Sequence, residues 1–582
     1  MQDFPPSRAY STPVNTRFIP AACALAAALL LPGCHNGGTS NTSPALGLSS
    51  HDEAAAANAL FLNQKTFDPW VLMSIDPKNP IPAYIVSNGR GSLIGPLGDS
   101  YSIAAGNYSG GQLQIDGQHD ISKPLNKLDS PMQNYVETVN MQTGVFHMYA
   151  RPEEMTFPNG PGLWPRLWQT SDIVITGDPE AQQVTHANLF YLLSSTYPGS
   201  DHSIPPMGLS SNIYGGHIFW DAEVWMMPAL IVQHPDYAKS IIDYRFKTWG
   251  QAKKNAQAHG FPGAEYAWES ADTGAEMAPA EFAQERHITA DVGWAAWQYY
   301  LWTGDRAYLA KEGWPVLSAT AAYWAARVTH GADGKYHVNK VLSPDETAGV
   351  VDDDAYTNAV VRANLRAASA AAKLLGHPAD SRWKTIADSL FFPYDGARKI
   401  PAENDAPMTD RFAAKQADTL LLVHPLGVDS GAATQSRMLD FYAAHTIKNG
   451  PAMTASMEAV VAAHLGRGPQ SLDLFHDSYR PFMRGPWDAF AEKRTSNRVY
   501  FCTGMGGCLQ SVLYGFAGLR VVEAGNKLNG TKIAGDEVAS LYADPHLPPG
   551  WGGLVVKGIR FRGKAFDVAV TPGNKVTVTP HP

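Results

Sequence analysis

The sequence predicts a mainly α-helical protein flanked by β-rich segments, and three observations predict it. Short alternating runs such as Ala83-Tyr84-Ile85-Val86 and Val145-Phe146-His147-Met148-Tyr149 occupy roughly 60–195, separated by Asn-Gly, Gly-Gly and Pro turns. From about 216 to 525, long amphipathic segments alternate with Gly, Pro and Asp breaks. After about 530 the alternation returns in Leu554-Val555-Val556, Val568-Ala569-Val570 and Val576-Thr577-Val578.

Taken in order, residues 1–17 carry Arg8 and Arg17, 18–32 form one apolar stretch, and Gly33-Cys34 opens a Gly/Ser/Thr/Asn-rich segment. That succession reads as a secretory signal over 1–33 followed by a flexible linker over 34–58. Leu30-Leu31-Pro32-Gly33-Cys34 resembles the bacterial lipobox, which makes Cys34 a candidate for lipidation and membrane tethering. The expectation is an exported protein, periplasmic or held at the outer membrane of a bacterium. An N-terminal β-domain is expected over 59–200, a linker over 201–215, the helical region over 216–528 and a C-terminal β-domain over 529–582.

Two helices illustrate the punctuation of the central region. Asp291–Trp302 runs into Thr303-Gly304 and is followed by Asp305 as the next cap. Another starts at the Asp352–Asp354 run and reaches Leu375-Gly376, the three aspartates reading as helix caps because they lack the alternating ligand spacing of a calcium loop. Ten to twelve such helices fit a barrel of helical hairpins.

The chain has 582 residues, a formal net charge of −9 and no Lys/Arg-rich run, so a nucleic-acid partner is not expected. Four cysteines, at 23, 34, 502 and 508, form neither a disulfide framework nor a CxxC zinc site. No metal or cofactor is expected. For Cys502 and Cys508, a disulfide and two packed thiols both fit the glycine-rich turn between them.

Chemistry-bearing residues gather where helices begin. Tyr214-Gly215-Gly216-His217-Ile218-Phe219-Trp220-Asp221-Ala222-Glu223 sets aromatics beside carboxylates, the mixture a sugar site needs: an aromatic face for the C–H side of a pyranose and a carboxylate for its hydroxyls. Tyr266-Ala267-Trp268-Glu269-Ser270 repeats the pairing in a loop, and Glu285-Arg286-His287-Ile288-Thr289-Ala290-Asp291 opens the next helix. Ser343-Pro344-Asp345-Glu346 leaves two carboxylates in a Pro-fixed turn. Thr503-Gly504-Met505-Gly506-Gly507 lacks the GK[ST] of a phosphate-cradling loop and reads as close backbone packing.

Together these segments resemble glycoside hydrolase family 65, a family of inverting α-glucoside phosphorylases and hydrolases. The resemblance rests on GHIFWDAEVW at 216–225, YAWESA at 266–271, HITADV at 287–292, SPDE at 343–346, DDAYTN at 353–358, KQAD at 415–418 and the run from Phe501 to Arg520. It implies an (α/α) six-hairpin barrel between an N-terminal β-sandwich and a small C-terminal β-domain. It places Glu346 on the family's general acid, Trp220 and Asp221 on residues holding the non-reducing glucose, Lys415 and Gln416 on a substrate-binding pair, and Trp268 and Glu269 on a sugar-facing loop.

The segments at 451–457 and 500–507 resemble the hydrolase branch and depart from the phosphate-binding pattern of the phosphorylases. An inverting hydrolase needs a second carboxylate to activate water. Glu492, 11 residues before Thr503, is the expected general base, with Asp488 as the alternative. The expected function is release of β-glucose from an α-linked disaccharide or small glucoside such as kojibiose, trehalose or nigerose. The competing readings are a phosphorylase of the same family and a non-catalytic carbohydrate-binding lipoprotein. Thr347-Ala348-Gly349 replaces the Tyr-His that many relatives carry after PDE, so the leaving-group subsite departs from the family pattern.

Overall fold

The computed structural model describes strands at 71–74, 84–87, 91–97, 100–105, 133–140, 145–151 and 153–157, Met141, and the chain from 163 onward except 211, 212, 410, 411, 486 and 527. The expected signal segment 1–33 and the expected linker 34–58 lie outside the described residues. The protein is mainly helical, with strands before and after its helices.

The seven early strands form two antiparallel sheets. Val71–Ser74, Gln133–Asn140, Val145–Arg151 and Glu153–Phe157 make a four-stranded one, and Tyr84–Ser87, Gly91–Leu97 and Ser100–Ala105 a three-stranded one. The β-rich segment ends earlier than the sequence predicts. Residues Leu163–Thr170 and Pro179–Ser194 are helices, and the strand between them, Ile173–Thr176, pairs with Gly553–Val556 of the C-terminal sheet. The missed signal is Asp178-Pro179: the aspartate side chain accepts from Ala181 N at 3.0 Å and proline takes the first helical position, where its absent N–H costs nothing. At the other end, strand Leu519–Glu523 begins ahead of the predicted boundary at 529 and pairs with Ala539–Ala543.

The two helices singled out in the sequence run close to their expected limits. Ile288–Thr303 ends on Gly304 at φ 67°, and Asp305 caps the next turn through Tyr308 N at 2.9 Å. Ala355–Leu375 starts on the Asp354 side chain, which accepts from Thr357 N at 2.7 Å, and ends on Gly376 at φ 72°. Successive helices pack as neighbours, and helices two steps apart also touch: Ile288–Thr303 lies against both Trp314–Arg327 and Ala355–Leu375. Late in the helical region, Cys502–Gln510 packs on Pro179–Ser194 and on the turn Ala222–Met226, so the two ends of this region meet.

That contact explains the glycine run. A Cβ on Gly504 would sit 2.5 Å from the Phe490 ring, and one on Gly506 would sit 2.5 Å from the Trp225 carbonyl oxygen. The segment is a helix buried along its whole length, in line with close packing. Cys502 and Cys508 are both free thiols there, each pushed up to about 12 by burial. Beneath the site, Arg245 makes a two-pronged ion pair with Glu223 (Nε–Oε1 2.7 Å, Nη2–Oε2 2.9 Å) and reaches the Phe219 carbonyl at 3.1 Å, which pins the loop that turns into Trp220-Asp221. Among the described residues, no helix is long and apolar enough to cross a membrane.

Candidate active site

The loop from 214 to 221 sets the geometry. Tyr214, Gly215 and Gly216 have consecutive positive φ values of 66°, 60° and 79°. Glycine adopts that region freely; a tyrosine there is uncommon and is held by its surroundings. The backbone then pairs Ile218 with Ser270 (N–O 2.8 and 3.1 Å), which fastens this loop to the one carrying Trp268 and Glu269. His217 Nδ1 lies 2.6 Å from Glu269 Oε1 across the join. Glu276 completes it, accepting from Trp268 N at 2.8 Å and Glu269 N at 3.1 Å.

Trp220 is 1% exposed. Its ring is enclosed by Trp225 (centroids 4.4 Å apart, edge-on), His287 (4.6 Å), Tyr356 (5.6 Å) and Trp268 (6.2 Å). It is therefore packed among four rings, directly ahead of Asp221. Asp221 follows it at the rim, and Thr503 from the helix Cys502–Gln510 donates to Asp221 Oδ2 at 2.6 Å. Burial pushes the Asp221 carboxyl up to about 7, with the Thr503 hydrogen bond opposing and the neighbouring Glu492 charge adding to the rise.

Glu346 opens a short turn, Glu346–Ala348, capped by Asp345, whose side chain accepts from Thr347 N at 3.2 Å. The same Asp345 oxygen accepts from Lys415 N at 2.8 Å, and Lys415 Nζ sits 2.6 Å from Glu346 Oε2. Main chain and side chain thus bind the SPDE and KQAD segments to each other. Gln416 follows, buried.

Glu492 is also buried. Its backbone is fixed by Arg498 O and Ala452 N (3.1 and 2.8 Å), and its Oε1 accepts from the Tyr214 hydroxyl at 2.9 Å. Tyr214 is the link between the two sides of the site. Its phenol is driven far above its usual range, first by burial and then by the negative charges of Glu492, Asp221 and Glu346. Of these three only Glu492 hydrogen-bonds the hydroxyl; the other two are felt there as charges. Asp488 does not join them: it is buried beside Gln183 and Glu180, and burial pushes it up to about 7.

Tyr214, Thr503 and a buried stack behind Trp220 were not identified from the sequence as site residues. In the stack, His287 lies between Asp291 Oδ2 (2.8 Å) and Glu285 Oε2 (3.2 Å), and Tyr356 donates to Asp291 Oδ1 at 2.7 Å. Burial opposes the His287 charge, but the two carboxylates overcome it and push the imidazole up to about 9. Glu285, raised by burial to about 8, feels the charges of Glu346 and Lys415. The i, i+4 spacing of His287 and Asp291 at a helix start was the available signal. Among the described residues, no group of three or more His, Cys, Asp or Glu side chains is arranged to hold a metal ion. The arrangement offers carboxyl groups on elements far apart in the chain, beside aromatic and polar groups, the residue types that general acid–base work needs.

Comparison with known proteins falls on these same elements. Residues 186–411 match the family model for the Glycosyl hydrolase family 65 central catalytic domain. A kojibiose hydrolase from Mucilaginibacter mallensis is 40% identical over 412 residues, covering 70% of this chain and 58% of the relative. A protein-glucosylgalactosylhydroxylysine glucosidase from Mus musculus is 37% identical over 420 residues, again 70% of this chain and 58% of the relative. The chain therefore spans less than two thirds of these curated relatives. A solved structure, a kojibiose phosphorylase candidate from the human microbiome, superposes over 88% of this chain and 96% of its own with a TM-score of 0.70 at 13% identity, a likeness of fold.

Proposed function

The chain carries a glycoside hydrolase family 65 catalytic domain, and on that premise we propose that it is an inverting α-glucoside hydrolase. The observation that carries the reading is that Glu492, hydrogen-bonded by Tyr214, lies where the charges of Asp221 and Glu346 are also felt, although the three come from separate segments of the chain. In this reading Glu346 protonates the leaving oxygen while Glu492 takes a proton from water on the opposite face of the ring, so an α-glucoside yields β-glucose. Glu346 must bring a proton to that step. Its ion pair with Lys415 is therefore given up when the sugar enters, and Lys415 turns to the sugar hydroxyls with Gln416, Asp221 and Glu269. The relatives named kojibiose hydrolase make a small α-linked glucose disaccharide the substrate class to try first.

The same reading arranges the helices as an (α/α) six-hairpin barrel, supported by the alternate packing of helices two steps apart and by the meeting of the region's two ends. It also takes the protein as exported, on the strength of the apolar stretch at 18–32 and the lipobox-like Leu30–Cys34.

The test is incubation of purified protein with kojibiose, trehalose and nigerose, with and without inorganic phosphate, the released anomer followed by proton NMR. Phosphate-independent β-glucose is the expected product. Glucose 1-phosphate formed only with phosphate would replace this reading with a phosphorylase, and saturable binding without turnover would replace it with a binding protein.

A further inference from the structure

Behind the SPDE turn lies a buried set of acidic groups that the proposed reaction does not use. Ser343 Oγ is 3.0 Å from Asp354 Oδ1 and 2.6 Å from Asp418 Oδ2, and it accepts from Asp345 N at 3.2 Å. Asp354 Oδ2 accepts from both Thr357 N (2.7 Å) and Thr357 Oγ1 (2.6 Å). Asp354 and Ser343 are fully buried, and Asp418 is 4% exposed with its Oδ1 buried and unpartnered.

Counting protons decides how these contacts are made. A serine hydroxyl has one proton and two lone pairs. It cannot donate to both carboxyl groups, so one of them must donate to it. Asp354 is the poor candidate, since two donors already face its other oxygen and the His287 cation is a neighbour. Asp418 lacks both, faces the carboxyl groups of Asp354 and Glu403, and is itself hydrogen-bonded to Asp354. Ser343 Oγ then accepts from Asp345 N and Asp418, and donates to Asp354, which uses its full capacity.

We propose that Asp418 carries the proton of a carboxyl–hydroxyl–carboxylate chain, Asp418–Ser343–Asp354, and that this chain latches the KQAD segment to the SPDE turn, so that Asp418 positions Lys415 and Gln416 against Glu346. The role assigned to the latch rests on the hydrolase reading above; the location of the proton does not. Burial and the two adjacent carboxyl groups both push Asp418 well above the usual carboxylate range, which agrees with the proton count. The groups facing it are Asp354, Glu403, Tyr356 and Tyr442, none of them a cation. Glu403, raised by burial to about 9, adds no charge to the set at neutral pH.

The test uses Asp418→Asn, whose amide N–H can replace the donated proton, and Asp418→Ala, which removes it. An unfolded aspartate ionises near 3.9, so above that pH the folded wild type holds a proton that the unfolded chain has lost, and stability falls as pH rises toward the folded value. The amide introduced by Asp418→Asn titrates in neither state. Thermal unfolding from about pH 5 to 8 is expected to show that variant gaining on wild type by up to roughly tenfold in the folding constant per pH unit. A gap that stays flat overturns the protonated Asp418. For the latch, Asp418→Asn is expected to keep kcat/KM within about threefold while Asp418→Ala loses at least about thirtyfold; equal losses in the two overturn it. Ser343→Ala is the second variant, expected to lower kcat/KM about tenfold or more by removing the shared hydroxyl, and wild-type kcat/KM in it overturns the latch. If no glucoside is turned over, the hydrolase reading fails and the unfolding comparison still decides where the proton is.

Discussion

Replacing Thr503 with valine keeps the side-chain shape and removes one hydroxyl, the donor to Asp221 Oδ2 at 2.6 Å. Asp221 is buried and already pushed up to about 7, and the Thr503 bond is the largest influence holding it down. A hydrogen bond to a charged group contributes roughly 1.5–3 kcal/mol, and ~1.4 kcal/mol corresponds to one pKa unit, so the variant's Asp221 should rise by roughly one to two units. At pH 7 the wild-type carboxyl is about half ionised; in the variant roughly a tenth to a hundredth would be. If ionised Asp221 accepts hydroxyls from the glucose being held, KM at pH 7 should increase roughly 5- to 50-fold and move back toward wild type by about pH 9. The assay is the initial rate of glucose release from the substrate found by the NMR panel, at several pH values. Calorimetric binding of glucose checks the same shift without turnover. A KM that matches wild type at every pH would refute both the role of Asp221 and the coupling through Thr503.

Glu346→Gln and Glu492→Gln should each lower kcat by about 10²–10⁴ while leaving the thermal unfolding curve near wild type, and either variant turning over at the wild-type rate removes that residue from the proton-transfer pair. Gly504→Ala forces a methyl group against Phe490 and the Ala452 carbonyl (2.5 and 3.0 Å), so it should cost about 1–3 kcal/mol, read as a lowered denaturant midpoint with unchanged m. Glu223→Gln leaves Arg245 charged and buried without its counter-ion. It should cost about 3–5 kcal/mol in the same unfolding assay, and a loss below ~1 kcal/mol would mean that the guanidinium finds another partner.

The parts of the fold that could be read in the sequence are those signalled locally. Gly304 and Gly376 stop helices because each needs a positive φ, and Asp305 and Asp354 start them because each cap bonds within three residues. Ile173–Thr176 alternates like any strand, but its partner is nearly 400 residues away, and nothing local says that it belongs to the C-terminal sheet. The site divides in the same way. Glu346, Lys415 and Asp221 lie in motif strings, and Glu492 was singled out by its spacing ahead of Thr503. Tyr214 sits at the edge of such a string, yet its contact with Glu492 crosses 278 positions. For Trp220 the sequence names the residue, and only the packing reveals the four rings around it.

Closure of the helical region is what creates the site. Thr503 can reach Asp221 because Gly506 lets the helix Cys502–Gln510 approach the Trp225 backbone, and Gln510 continues the contact by donating to Val224 O and Trp225 O at 2.9 and 2.8 Å. The strand pair Met483–Arg484 and Ala489–Phe490 precedes that helix, and Ala491-Glu492 follows the pair, so docking of the last helix on the first inner turn also carries Glu492 to Tyr214. Glu346 arrives from a different quarter of the chain, held by Lys415 and by the Ser343–Asp418 contact. A substitution that loosens the glycine-mediated approach should therefore disturb Asp221 and Glu492 together while leaving the Glu346–Lys415 half intact. Under the proposed mechanism such damage would appear as a KM and base-limb defect with the acid half still working, which separates closure of the helical region from the chemistry of any one carboxylate.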